Sequence, residues 1–165
     1  MAQRDRDDAG AARNARPRDA LGRPLPRGSR GIPRIPEDLD VAPDESLRYA
    51  QDLLDRGLAF NAHEVLEAAW KNGSEDERML WQGLAQLAVG FTHVQRGNVV
   101  GACALLERGA ARLRTYPRPA PHGVDTDGLV AHAERLVANL RAGNGVDPQQ
   151  LRPALVVSGA DRRAT

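Results

Sequence analysis

Residues Met79–Val94 read MLWQGLAQLAVGFTHV, and the reading of this stretch decides the fold. It holds no charged residue in a chain that is 27% charged. Leu80, Leu84, Leu87, Phe91 and Val94 recur at spacings of 4, 3, 4 and 3, which is one stripe of an α-helix. At about 100° per residue, Gln82, Gln86 and His93 gather near the opposite side. Their neighbours there are Gly83, Val89 and Gly90. A helix without charge on any face is expected to be buried all round. The two glutamines and the histidine are therefore predicted to point into protein and to find polar partners there.

The rest of the composition supports a helical core. A chain of 165 residues allows one domain with a real interior. Aromatic residues make up only 4%, so the core must rest on Leu, Val and Ala, a composition that suits helices. The net charge of +1 supplies no basic field to recruit nucleic acid or a membrane, and no nucleic-acid motif occurs. Cys103 is the only cysteine, which excludes an intrachain disulfide and fits a reducing compartment. The first residues, MAQRDRDDAG, lack the apolar run of a secretory signal, and their Asp residues argue against a transit peptide. The central apolar stretch falls short of the roughly 20 apolar residues of a membrane span. The expectation is a cytoplasmic protein.

Along the chain, residues 1–43 read as an irregular Arg- and Pro-rich arm. Nine arginines fall between Arg4 and Arg34, and Pro17, Pro24, Pro26, Pro33 and Pro36 interrupt any helix. Leu21, Leu25, Ile32 and Ile35 are the residues able to dock it. A helical bundle is predicted over 44–142, followed by a tail over 143–165. The first helix starts near Asp44 or Glu45 and ends at Arg56, with Gly57 as its stop. The second runs from about Ala59 to Lys71. Ser74 and Glu77 have capping-box spacing ahead of the central helix, which reaches about Arg96. Asn98 caps a fourth helix ending near Thr115. A Pro-rich loop and a fifth helix over Thr126–Ala142 follow. The tail should hold a short helix and an extended end.

An internal repeat with an offset of 40 links the helix pairs. Arg56, Gly57, Ala62, Leu66 and Glu67 match Arg96, Gly97, Ala102, Leu106 and Glu107. Each unit reads as helix, glycine turn, helix. Two units are fewer than the roughly three that open arrays need, so a closed all-α bundle of about five helices is expected. The histidines break the repeat: His63 stands where the sister unit has Cys103, and His93 where it has Leu53. Both positions suggest buried rings.

The candidate site follows from these breaks. His63 and Glu67 lie one turn apart on the second helix, and Trp70 joins their stripe. If the second and third helices pack antiparallel, His63 and Glu67 meet Gln82, Gln86 or His93. Two imidazoles and a carboxylate, His63, Glu67 and His93, would suit a divalent transition metal, with Glu64 as the spare carboxylate acting as base on a bound water. The zinc-protease reading of HEVLE fails, because Glu67 stands where the second histidine is required. A site for a small polar ligand uses the same residues: His63, Glu67, Trp70, Gln82, Gln86 and His93. The competing reading is a satisfied network that only fixes helix register inside a protein-interaction module. Glu107 favours it, since the sister unit keeps the acid without a histidine. Cys103 reads as packing, and His122 and His132 as exposed. No pattern decides whether the chain is an enzyme.

The strings FNAHEVLEAAWK and WQGLAQLAVGFTHVQRGNVVGACALLERGAARL resemble the uncharacterised helical family known as domain of unknown function 309, over about residues 47–114. The resemblance implies a compact all-helical fold and no established activity, substrate or cofactor. Its signature falls on His63, Glu64, Glu67, Trp70, Gln82, Gly83, Gln86, His93, Gly97 and Asn98, all present here.

Overall fold

The computed structural model describes residues 16–159. Arg4, Arg6 and Arg13 of the predicted arm and residues 160–165 of the tail lie outside them. Five helices follow in order: α1 (Pro43–Asp55), α2 (Ala59–Asn72), α3 (Arg78–Gln95), α4 (Val99–Arg114) and α5 (Thr126–Arg141). Among the described residues no β-strand forms, and the only β-type pairings are isolated bridges, Arg18 with Pro24 and Val124 with Val156. Each helix packs on its chain neighbour, and the α3–α4 contact is the most extensive. This is the all-α bundle the periodicity predicts. None of the described helices is long and apolar enough to cross a membrane.

The duplication appears as repeated hydrogen bonding. Gly57 and Gly97 both take φ +75°, the left-handed conformation that glycine adopts without steric cost. Gly57 N–H donates to Leu54 at 2.9 Å, and Gly97 N–H to Val94 at 3.0 Å. Leu58 N–H reaches back to Leu53 at 2.8 Å, and Asn98 N–H to His93 at 2.9 Å. These paired bonds are a Schellman closure built twice, forty residues apart. Asn98 caps α4 as predicted, its side chain accepting from Gly101 N–H at 3.0 Å.

The capping box at Ser74 does not form. A short 3-10 turn, Glu75–Glu77, separates Ser74 from α3, and its side chain caps nothing. Glu77 instead accepts the indole N–H of Trp81 at 3.1 Å.

α3 is not buried on every side. Its apolar stripe and flanks are enclosed by α2 and α4, but Met79 is exposed, and Gln82, Gln86, Val89 and His93 are half-buried. Among the α-helices only α2 and α4 pack extensively on α3, which leaves one side open. Arg112 of α4 arches over the strip, donating to Gln86 Oε1 at 2.9 Å and to Met79 Sδ at 3.1 Å. The charge missing from α3 is thus supplied by the stem and head of a neighbour's arginine. Beside this strip, Gly83 and Gly90 let α4 approach closely. A Cβ at Gly90 would lie 2.8 Å from Leu106 Cγ.

Both chain ends join the core. The arm from residue 16 to 42 has neither helix nor strand, yet it lies along α2. Ile35 is buried, while Leu21, Leu25 and Ile32 are half-buried. Asn61 donates to the Pro33 carbonyl at 3.2 Å, Asn72 to Leu39 at 2.8 Å, and Arg96 Nε to Leu21 at 2.8 Å. At the other end, a 3-10 turn over Pro148–Leu151 leads into an extended segment, as expected. Gln51 of α1 grips that segment with both ends of its amide, donating to Pro153 at 3.1 Å and accepting from Leu155 N–H at 2.8 Å. Leu151 and Leu155 are buried, so the core extends beyond residues 44–142 on both sides.

Candidate functional site

The outward face of α2 is one wall of a groove of about 480 Å³, and the docked arm is the other. α2 contributes His63, Glu64, Glu67 and Lys71. The arm contributes Arg18, Arg34 and Glu37, with Ile35 and Pro36 between them. Helical spacing places Glu67 one turn above His63, and Lys71 one turn above Glu67.

Glu67 bridges its two neighbours. His63 Nε2 lies 3.2 Å from Glu67 Oε2, and Lys71 Nζ lies 3.3 Å from Oε1. The His63 ring is tilted against Phe60 at 5.6 Å between centroids. Phe60 also carries the guanidinium of Arg18 at 5.2 Å and that of Arg96 at 5.8 Å. A Cβ on Gly22 would fall 2.3 Å from the Phe60 ring, so the arm can settle there only as glycine. These contacts hold Arg18 over α2.

Burial governs the protonation states. It pushes the His63 imidazole below its ordinary value, against the pull of Glu67 and a Phe60 backbone hydrogen bond, with Lys71 adding to the lowering. His63 is therefore neutral near pH 7. Burial also raises Glu64, opposed by Arg34 and Arg18 and reinforced by Glu67 and Glu37. Arg18 is lowered by its own burial first, and then by Arg34. His63 Nδ1 and Arg18 Nε are both buried without a well-formed hydrogen bond.

The predicted metal shell does not assemble. Among the described residues no three His, Cys, Asp or Glu side chains are grouped so as to hold a metal ion. His93 is absent from the groove. It sits in the last turn of α3, where its Nδ1 accepts from the Asn98 amide at 3.2 Å, bracing the turn into α4. The role foreseen for Glu64 beside a metal-bound water has no three-donor set to attach to. Gln86 likewise turns to Arg112 rather than to His63, and Gln82 lies half-buried on the same strip of α3. Trp70 packs half-buried against the core and does not line the groove, although its indole N–H is buried without a partner.

The structure thus brings together His63, Glu64 and Glu67 of the predicted set. It adds Arg18, Arg34 and Glu37, which periodicity cannot reach because the arm has none. One signal was available: α4 carries Ala104 and Ala111 where α2 carries Glu64 and Lys71, so the two units differ in charge at these two positions. The remaining histidines are not simply exposed. His132 Nε2 donates to the Gln150 carbonyl at 2.5 Å, and His122 Nε2 contacts Glu77 at 2.8 Å.

No curated protein and no solved structure matches the chain. The family comparison runs from Leu47 within α1 to the first turns of α4, which includes the glycine turns and α2's site face. The resemblance carried by FNAHEVLEAAWK and WQGLAQLAVGFTHVQRGN is shown there: residues 47–105 match the model of the family described as Domain of unknown function (DUF309).

Proposed function

We propose that the groove between α2 and the arm binds a small polar molecule that offers both a hydrogen-bond donor and an acceptor. What carries this reading is that one groove gathers an imidazole, two carboxylates and two guanidinium groups, from His63, Glu64, Glu67, Arg18 and Arg34. The groove's volume falls within the range of small-molecule sites. Its wall mixes carboxylates with guanidinium groups, which favours a ligand of mixed polarity over a simple anion or cation. A resident metal is not part of this reading, since His63 and Glu67 supply only two donors.

The test is a thermal-shift screen of metabolite-sized polar compounds against the untagged protein, repeated on His63→Gln and Arg18→Ala. Compounds that raise Tm should lose that effect in both variants. A screen without hits, or hits indifferent to both substitutions, overturns the proposal. A network that merely stiffens the bundle predicts that His63→Ala lowers thermal stability and leaves all binding unchanged.

A further inference from the structure

A second polar cluster lies away from the groove, where the Pro-rich loop meets the start of α3. His122 Nε2 is 2.8 and 2.9 Å from the two carboxylate oxygens of Glu77. A carboxylate only accepts, so Nε2 carries the ring proton and donates it. Trp81 donates its indole N–H to the same carboxylate at 3.1 Å, and its ring lies 6.0 Å from the imidazole. The Glu77 side chain is therefore held by an indole and an imidazole, and only 21% of it is exposed.

In the neutral ring that tautomer leaves a lone pair on His122 Nδ1. Among the described residues no group hydrogen-bonds that atom, and it is not sealed from solvent. His122 lines a cavity of about 530 Å³ between α1 and the tail. Leu47, Leu155 and Val156 give the cavity its apolar wall, and the charged side chains of Asp44 and Arg48 complete its rim. Gln51 also borders it, but its amide is engaged by the tail backbone. His122 holds φ +59°, a conformation that non-glycine residues seldom adopt. Such backbone persists where surrounding contacts over-determine it, and it clusters at binding sites.

We propose that Glu77 and His122 form an oriented acceptor that binds a neutral, hydroxyl-bearing molecule with an apolar body in the cavity between α1 and the tail. The hydroxyl donates to Nδ1, and the apolar body lies on Leu47, Leu155 and Val156. Glu77 acts as a positioning residue, fixing the tautomer that makes Nδ1 an acceptor.

The experiment titrates benzyl alcohol into the full chain carrying ¹⁵N-labelled histidine, with toluene as the probe lacking a hydroxyl. Benzyl alcohol should shift the His122 Nδ1 resonance saturably, together with the amides of Leu155 and Val156. Toluene should bind about tenfold more weakly, the cost of one lost hydrogen bond. Glu77→Gln should weaken benzyl alcohol by a similar factor while leaving toluene unchanged. His122→Asn, whose side chain tolerates the left-handed backbone, serves as a second variant and should equalise the two probes. Equal binding of both probes to the native chain overturns the proposal, as does a Glu77→Gln variant that binds like the native protein or the absence of saturable shifts.

Discussion

The α1–α2 and α3–α4 units share a turn and a core but not an outer surface. Ala62 and Ala102, and Leu66 and Leu106, are fully buried in matching places. Outside, the units part. Phe60 is covered by Arg18 and Gly22 of the arm, whereas its counterpart Val100 is 83% exposed. Glu67 engages His63 and Lys71 on its own helix, whereas Glu107 pairs with Arg141 of α5. α4 is covered by a helix and α2 by an irregular strap. An irregular segment brings side chains at no fixed period, so it can place Arg18 and Arg34 over α2 where a packed helix would bring an apolar stripe. The comparison teaches that the shared residues maintain the scaffold, and that polarity gathers where the repeat is broken.

The largest test of that equivalence is in the core. Leu66→Ala and Leu106→Ala should each cost about 2–5 kcal/mol in urea denaturation, by similar amounts. A cost differing severalfold would break the structural equivalence. Next comes the helix contact. Gly90 corresponds to Ala50, and only the former has Leu106 pressed against it. Gly90→Ala should destabilise by about 1–3 kcal/mol through overpacking, despite alanine's better helix propensity. A stabilised variant would show that α3 and α4 have room to part. The turns should respond alike: Gly57→Ala and Gly97→Ala each lose about 1 kcal/mol, since both impose φ +75° on a Cβ.

The smallest effects concern the broken positions. The folded value of His63 lies below its ordinary 6.5, so the unfolded chain binds this proton more readily. Its contribution to stability is therefore lost as pH falls from 6.5 toward the folded value. Glu64 is opposite in sign. Its folded value lies above the ordinary 4.5, so the folded chain binds that proton more readily, and the associated stability is lost as pH rises through the folded value. Replacing His63 by its counterpart, His63→Cys, should reduce the destabilisation between about pH 7.5 and about pH 5.5, measured by denaturation midpoints. An unchanged pH slope would mean that the ring is not held neutral by burial. Glu64→Gln should leave stability at neutral pH equal or raised, and a clear loss would show that Arg18 and Arg34 outweigh burial.

Much of the scaffold was legible because helices repeat. The stripe from Leu80 to Val94 located α3, and the matched glycines located both turns. The depth of burial of α3 is not legible, because a missing charge on α3 says nothing of charge arriving from α4, as Arg112 does. The site was half legible for a related reason. His63, Glu64 and Glu67 share one helix and announce themselves by spacing, while their partners across the groove come from the arm. His93 was drawn into the site by its chemistry alone. Its position in the last turn of α3 ties it to Asn98 instead.

The grip of Gln51 on Pro153 and Leu155 has a consequence for how the chain is made. Gln51 waits for an extended segment made about a hundred residues later, so α1 stays without that partner while α2 to α5 are synthesised. Nascent chains stalled before Leu151 should therefore expose α1 to proteases that cannot cut it once Pro153 and Leu155 have emerged.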